Sequence, residues 1–527
     1  MYKIKWLLFG FFFCLNSIYA QRNVILIIAD DLGSDYCGFY DNHLDTCIMP
    51  NVRKLLAKGV MFSKAWSNPL CSPTRSGILT GRYSFRTGVG NAVGGTGSAV
   101  LDTAEMSIPK MLNFYKPNGI AKANIGKWHL QLPTPTSNYI FPNKMGYDRF
   151  EGNFNGLLSD FYNWTKVTNG VASNNTNYAT TETVNNAVSW INTVPKNKPF
   201  FLWLAFNAPH TPYHLPPANL HSYASLTGTA ADITANPKTY FKAMVEAMDK
   251  EMGRLFDSLL VNNRFDSTDI IFIGDNGDNA LVAQTPGGAK GSVYQEGVSV
   301  PFIISGPSVV NPNRVSDALV NTHDLFATIL ELFGYKNWST KIANNKPVDS
   351  KSLWPILKNS STSVRPWVFT EIFKNPTVAG DGKTMRNLNY KLIDFDNGTQ
   401  KFFNLTLDPN ENNDLLKGTL SADAQINYNY LCNEMTNLTG KGGFCSLGTG
   451  LSQDVIKPLL LSNPFSSTIA IRNCSNETFF ELTNAIGELV YAGSAIDQEN
   501  FSYLSNGIYF LKVVNTTTSI LKLIKAD

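Results

Sequence analysis

The chain has 527 residues, too many for one compact core, so more than one domain is expected. Hydrophobic residues make up 43% and charged residues 16%, which excludes a wholly disordered chain. A formal net charge of +3 gives no general attraction for polyanions, so nucleic-acid binding is not expected and any anion specificity must be local.

The first residues read as a targeting signal. Lys3 and Lys5 precede the apolar run Trp6 to Leu15, and Ser17-Ile18-Tyr19-Ala20 offers a small residue for cleavage. That run is too short to span a bilayer. The mature chain, from residue 21 on, is therefore expected to be exported without a transmembrane segment. Loss of Cys14 leaves Cys37, Cys47, Cys71, Cys432, Cys445 and Cys474. Export permits disulfides, and the local spacing allows Cys37 with Cys47 and Cys432 with Cys445.

Four apolar runs share a pattern. Asn23 to Ala29 ends at Asp30-Asp31, and Ile270 to Gly274 ends at Asp275-Asn276. Phe200 to Phe206 ends near Pro209-His210, and the weaker Ile120 to Ile125 ends at Gly126-Lys127-Trp128-His129. Continuous hydrophobicity predicts strands buried on both faces. Between them, Ser107 to Tyr115 and Tyr240 to Leu260 show helical spacing. Alternation of strands and helices predicts an α/β fold with a large, mostly parallel central sheet.

In such sheets ligands sit beyond the carboxyl ends of the strands. Asp30, Asp31, Lys127, His129, His210, Asp275 and Asn276 are thus expected to converge on one crevice. Each alone is as readily a loop residue capping a helix; the set, placed alike after separate strands, is not.

After about residue 365 the organisation changes. Tyr390 to Ile393 and Lys401 to Leu405, with the turn Asp396-Asn397-Gly398, predict an antiparallel α+β subdomain over 366–450. The tail 451–527 predicts a small all-β module, with strands at Thr468 to Ile471, Glu488 to Tyr491 and Gly507 to Val513.

Asp30, Asp31, Asp275 and Asn276 offer oxygen ligands only, which selects a hard cation, Ca2+ first and Mg2+ second. Cys71 is followed by Ser72-Pro73-Thr74-Arg75. Proline favours a first helical turn, so Cys71 is expected at a helix N-terminus, where free amides attract anions. Arg75 follows by about one turn, and Lys127, His129, His210 and Lys290 add donors. Together these describe a pocket for a tetrahedral dianion or its monoester.

Cys71-Ser72-Pro73-Thr74-Arg75-Ser76-Gly77-Ile78-Leu79-Thr80-Gly81-Arg82 closely resembles the signature of type I sulfatases, of the alkaline phosphatase superfamily. Asp30-Asp31-Leu32-Gly33, Gly126-Lys127-Trp128-His129-Leu130, Ala208-Pro209-His210-Thr211-Pro212, Asp275-Asn276-Gly277 and Lys290-Gly291 resemble further family motifs in the family's order. So does Phe403 to Glu411. One stretch departs from the pattern. The family usually has Glu-Gly-Gly after Tyr294, and this chain has Gln295-Glu296-Gly297.

The resemblance covers residues 22–440 and implies an alkaline-phosphatase-like sandwich, with a catalytic α/β domain over 21–365. It implies hydrolysis of sulfuric esters, with a sulfated carbohydrate as the expected substrate. A maturation enzyme would oxidise Cys71 to formylglycine, which joins Asp30, Asp31, Asp275 and Asn276 around Ca2+. Arg75 and Lys127 would hold the hydrated aldehyde and the anion. Asp275 would act as base for attack, and His210 and Lys290 would assist the leaving alcohol. His129 would take the proton that lets sulfate leave. Lys127, His210 and Lys290 would bind substrate, as would His214, for which a surface-loop role is equally open.

The tail, with Asn463-Pro464-Phe465, Glu488-Leu489-Val490 and Asn506 to Val513, resembles a sorting domain of the type IX secretion pathway. That implies an encounter with that machinery and a secreted or cell-surface protein; without it the destination is the periplasm. Two other readings are a non-catalytic glycan-binding protein on a sulfatase scaffold and a phosphatase or phosphodiesterase of the same superfamily.

Overall fold

The computed structural model describes residues 22–40, 43–285, 288–378, 380–440, 459–460, 463–472, 478–514 and 518–526. The targeting segment 1–20 with Cys14, the expected boundary at 450–451, Cys445 and Cys474 lie outside the described residues. No helix among the described residues is long and apolar enough to cross a membrane.

Ten strands form the central sheet: β1 (Asn23–Ala29), β2 (Gly59–Trp66), β3 (Ala121–Gly126), β4 (Arg149–Gly152), β5 (Trp164–Thr168), β6 (Val171–Asn175), β7 (Phe200–Ala205), β8 (Thr268–Gly274), β9 (Phe302–Ser305) and β10 (Arg314–Asn321). Their order is β10-β2-β9-β8-β1-β7-β3-β4-β5-β6. The run β8-β1-β7-β3-β4 is parallel, as is β10 with β2. β9 lies antiparallel between β2 and β8, and the β5–β6 hairpin closes the far edge.

The apolar runs are continuous because the sheet is covered on both faces. In β1, Ile25, Ile27 and Ala29 join one hydrophobic cluster, while Val24, Leu26 and Ile28 join the other. β7 divides in the same way, with Phe200, Leu202 and Leu204 on one side and Phe201, Trp203 and Ala205 on the other. The helix Pro237–Val261 covers the first face with Phe241, Met244, Met248 and Leu255. The helices Ile108–Tyr115 and Leu325–Leu332 cover the second. This is an alkaline-phosphatase-like α/β sandwich.

β11 (Val368–Ile372), β12 (Gly382–Arg386), β13 (Tyr390–Phe395) and β14 (Gln400–Asn404) form a separate antiparallel sheet. The helix Ala422–Thr439 packs Leu431 and Met435 into a cluster with Phe369 and Leu392 of that sheet. The tail forms a second four-stranded antiparallel sheet from Phe479–Asn484, Leu489–Gly493, Gly507–Val514 and Thr518–Lys525. Its residues Phe479, Ala492 and Val514 enter the same cluster as the helix Ala422–Thr439, and Ser361 Oγ donates to the Ala492 carbonyl at 2.8 Å.

Two cysteine expectations resolve differently. Cys37 and Cys47 are both buried and free, which corrects the proposed pairing. The Cys37 thiol is turned toward the Gly33 carbonyl and Met49 sulfur instead, at 3.6 and 4.0 Å. Cys432 is disulfide-bonded, and its expected partner Cys445 lies outside the described residues.

Glu371 in β11 is buried and accepts the Phe85 N–H at 2.7 Å. Burial raises its carboxyl from the ordinary 4.5 to about 8, against the Phe85 N–H and Lys383. The unfolded chain releases this proton near pH 4.5 and the folded chain near pH 8, so stability present at low pH is lost as pH rises through that window. Glu371→Gln is expected to flatten the slope and raise stability at about pH 8 by a few kcal/mol, read from thermal midpoints across the window.

Candidate active site

The site is assembled where β1, β3, β7 and β8 end. Asp30 and Asp31 follow β1, Lys127 and His129 follow β3, His210 lies in the loop after β7, and Asp275 and Asn276 follow β8. The parallel register places these ends side by side. Gly126 has φ 103°, and a Cβ there would lie 1.8 Å from the Ala205 carbonyl oxygen, so only glycine lets β3 end this close to β7. Asp31 and His129 are held in the left-handed region at φ 65° and 54°, the kind of strained backbone found at functional sites.

The helix Cys71–Thr80 enters this crevice with Cys71 as its first residue. Pro73 falls in its first turn, where a missing N–H costs no helical bond. Leu70 offers no side-chain cap, so the first amides of the helix remain available to an anion. Arg75, one turn on, is fully buried. It donates from Nε and Nη2 to Asp275 at 3.1 and 2.8 Å and from Nη1 to the Lys127 carbonyl at 3.0 Å.

The other charges pair in a ring. Lys127 donates to Asp30, and Lys290 lies 2.6 and 2.8 Å from the two oxygens of Asp31. His210 Nε2 is 3.7 Å from Asp31. Three carboxylates (Asp30, Asp31, Asp275) thus face three permanent cations (Arg75, Lys127, Lys290). A divalent ion added to this balanced set would leave the site positive, matched to an anionic ester.

Protonation states follow from these contacts. Burial raises Asp30 to about 7 despite Lys127. Burial also acts to raise Asp31, but Lys290, His210 and Lys127 outweigh it and hold that carboxyl below the usual range. Burial would lower Lys290; Asp31, Cys71 and Asp30 overcome it and raise it. Burial, with Lys127 beside it, drives His129 well below an ordinary histidine, so its ring is neutral.

His129 Nε2 is 2.9 Å from the Val93 carbonyl, which can only accept, so Nε2 carries the hydrogen. Nδ1, 3.2 Å from Cys71 Sγ, is then the lone-pair nitrogen facing the nucleophile position. Ser72 Oγ fixes the backbone on both sides, donating to the His129 carbonyl at 2.8 Å and accepting the Val93 N–H at 3.0 Å.

A metal ion would be held by Asp30, Asp31, Asp275 and Asn276. Asp30 Oδ1 and Asn276 Oδ1 are buried with no hydrogen-bond partner, and oxygens from Asp30 and Asp275 lie with Cys71 Sγ within 4.8 Å of one another. Unsatisfied buried oxygens in a carboxylate-rich set fit a hard divalent cation.

The crevice opens as a cleft of about 510 Å³ lined by Cys71, His129, His210 and Lys290. Gln131, Asn155 and Leu157 also line it and were not singled out from the sequence. Asn155 lies just past β4, so the strand-end rule that found Lys127 also points to it. His214 is the expected substrate contact that the structure places elsewhere. Its ring packs on Phe161 at 4.1 Å, and its nitrogens contact the Pro212 carbonyl at 3.0 Å and Tyr178 hydroxyl at 3.1 Å. His214→Ala is expected to lower stability by about 1–2 kcal/mol through lost packing and hydrogen bonds, yet change kcat/KM by less than about twofold. Denaturation and steady-state kinetics on one preparation separate the two.

Residues 22–335 match the family model described as Sulfatase. The chain belongs to the sulfatase family. Residues 289–439 of this sulfatase also match the model for the N-sulphoglucosamine sulphohydrolase C-terminal region, and 462–526 the secretion system C-terminal sorting domain. Among curated relatives, mouse arylsulfatase J is 25% identical over 69% of this chain and 60% of its own length. An arylsulfatase of Klebsiella aerogenes is 24% identical over 66% of this chain and 92% of its own. The crystal structure of Ps i-CgsB in complex with k-i-k-neocarrahexaose is similar at 26% identity and TM-score 0.66, covering 81% of this chain and 94% of that one. The sulfatase family is one of sulfuric ester hydrolases.

Proposed function

We propose that this sulfatase removes sulfate from a sulfated carbohydrate through a formylglycine made from Cys71 by a separate maturation enzyme. The observation that carries the reading is the placement of Cys71. It begins a helix, lines the cleft, and lies 3.2 Å from the lone-pair nitrogen of a neutral histidine. Hydrated formylglycine supplies one hydroxyl to attack sulfur and a second whose deprotonation expels sulfate. Calcium, held by Asp30, Asp31, Asp275 and Asn276, supplies charge neutralisation on a sulfate oxygen when bound.

The chain's own groups divide the remaining work. Arg75 fixes Asp275 with two N–H donors, which orients that carboxylate to take the proton of the attacking hydroxyl. The ammonium groups of Lys127 and Lys290 and the first amides of the helix Cys71–Thr80 bind sulfate oxygens. His210 donates its Nδ1 hydrogen to the Thr211 carbonyl at 2.7 Å, leaving Nε2 toward Asp31. When protonated there, His210 can give its proton to the departing alcohol oxygen. His129 Nδ1 receives the proton of the second hydroxyl.

Carbohydrate is favoured as substrate because the Ps i-CgsB structure, similar over most of both chains, is a complex with k-i-k-neocarrahexaose. The sorting tail supports export by the type IX machinery to the cell surface or beyond. Defined sulfated oligosaccharides, carrageenan and glycosaminoglycan fragments among them, are expected to release inorganic sulfate, quantified by ion chromatography. Binding of those glycans without sulfate release from any would sink the catalytic reading in favour of a glycan-binding scaffold. Hydrolysis of phosphate esters alone would favour a phosphatase.

A further inference from the structure

Next to the catalytic crevice the same two strand ends carry a second acidic cluster. Asp35 lies in the segment after β1, Asp278 in the segment after β8, and Glu296 on the short helix Gln295–Val298. One oxygen from each lies within 4.8 Å of the other two. Two oxygens bound to one Ca2+ at about 2.4 Å each can be at most about 4.8 Å apart, so the spacing suits a single cation.

The cluster lacks compensation from the protein. Asp278 is fully buried and Asp35 is 6% exposed, no donor reaches the Oδ2 atom of either, and the two carboxyls lie against each other, a contact that needs a shared proton or a shared cation. Among the described residues, ion pairs in this region reach Asp31 and Asp45, but none reaches Asp35, Asp278 or Glu296. Backbone amides orient Asp278 and Glu296. Gly33 N–H donates to Asp278 Oδ1 at 2.9 Å, and the Gln284 and Thr285 amides donate to Glu296 Oε1 at 2.7 and 2.8 Å. A Cβ on Gly33 would lie 2.3 Å from Asp35 Oδ1 and 2.9 Å from Asp278 Oδ2, so the carboxylates close over a residue with no side chain. Buried carboxylates held open by amides and left without a counter-charge are costly unless a cation joins them.

Glu296 and Gln295 are the two residues at which Gln295-Glu296-Gly297 departs from the usual Glu-Gly-Gly, and glycine is usual at the position of Glu296. Its third carboxylate completes the set. A cleft of about 710 Å³ reaches Ser34, Asp35, Thr285 and Glu296 and gives a hydrated ion a route in. We infer that Asp35, Asp278 and Glu296 form a second divalent-cation site, with ligands distinct from the catalytic set, that takes Ca2+ and ties the segment after β1 to the segment after β8. All-oxygen ligands and room for water favour Ca2+ over a transition metal.

Equilibrium dialysis of the full mature chain against radioactive calcium counts the bound ions. The wild type is expected to bind one more Ca2+ per chain than Glu296→Gly, which restores the usual family residue, or Glu296→Gln. Circular dichroism in chelator checks that the variants fold. Equal counts in wild type and both variants would overturn the site and assign the neutralisation to shared protons. If neither variant folds, Asp31→Asn decides: it keeps one equivalent of Ca2+ if the second site exists, and complete loss of calcium binding refutes it.

Discussion

Replacing Cys71 with alanine is expected to lower kcat for sulfate-ester hydrolysis on the order of 10⁵-fold or more, the scale seen when a covalent nucleophile is removed. Folding should survive. The side chain contributes little packing of its own, and the helix start is held by Ser72 and by Thr74, whose hydroxyl accepts the Asn68 N–H at 3.0 Å. Cys71→Ser sharpens the test. A serine hydroxyl can attack sulfur but has no second hydroxyl to expel it, so a sulfated enzyme should accumulate and be visible by mass spectrometry. Turnover at the wild-type rate in either variant would show that the nucleophile lies elsewhere. In wild-type protein from its native host, the peptide containing Cys71 should carry an aldehyde.

Asp275→Asn is expected to lower kcat/KM by about 10³-fold, or ~4 kcal/mol of transition-state stabilisation. In the proposed mechanism Asp275 has two tasks: it would offer oxygen to the cation, and it balances a fully buried Arg75. The substitution therefore also weakens folding, by about 3–5 kcal/mol, because one member of a buried ion pair is left uncompensated. Calcium chelation separates the tasks. Chelating the wild type should remove activity while leaving the Arg75–Asp275 pair intact, and calcium should restore the rate. Rates per folded molecule, with the folded fraction taken from a denaturation curve, identify the catalytic share. Unchanged activity in thoroughly chelated enzyme would remove the metal from the mechanism.

The centre of the fold is legible in the sequence because its strands are buried on both faces. Runs such as Asn23 to Ala29 and Phe200 to Phe206 have no polar interruption, and each ends in charged or polar residues that the parallel register gathers together. The periphery follows a weaker rule. β5 and β6 contain Thr, Lys, Ser and Asn, and β6 is largely exposed, so neither reads as a core strand. In the tail, Thr518–Lys525 mixes polar and apolar residues and was not expected as a strand, though it pairs along its length with Gly507–Val514. The antiparallel placement of β9 between β2 and β8 depends on packing between segments far apart in sequence.

The candidate site divides along similar lines. Cys71, Arg75, Asp30 and Asp275 stand in contiguous motifs, and the structure gathers them. Gln131 and Leu157 reach the cleft from loops whose paths no local pattern encodes, whereas Asn155 falls just past the end of β4. For His214, four residues from His210, the sequence left a substrate contact and a surface-loop role equally open, and the ring does not line the cleft. The segment between them turns, and Tyr178 and Phe161 provide a better partner for the ring than the crevice does. The spacing of Cys37 and Cys47 likewise says nothing about where each thiol points.

The docking of the tail bears on how this protein behaves in a test tube. Phe479, Ala492 and Val514 share one cluster with Leu431 and Met435. A protease cutting between the helix Ala422–Thr439 and the tail sheet would yield two pieces that stay joined until this greasy seam opens. Once apart, each would show water an oily face and tend to stick to its own kind. The catalytic portion stripped of its tail should therefore be less soluble than the intact chain, even with every residue around Cys71 in place.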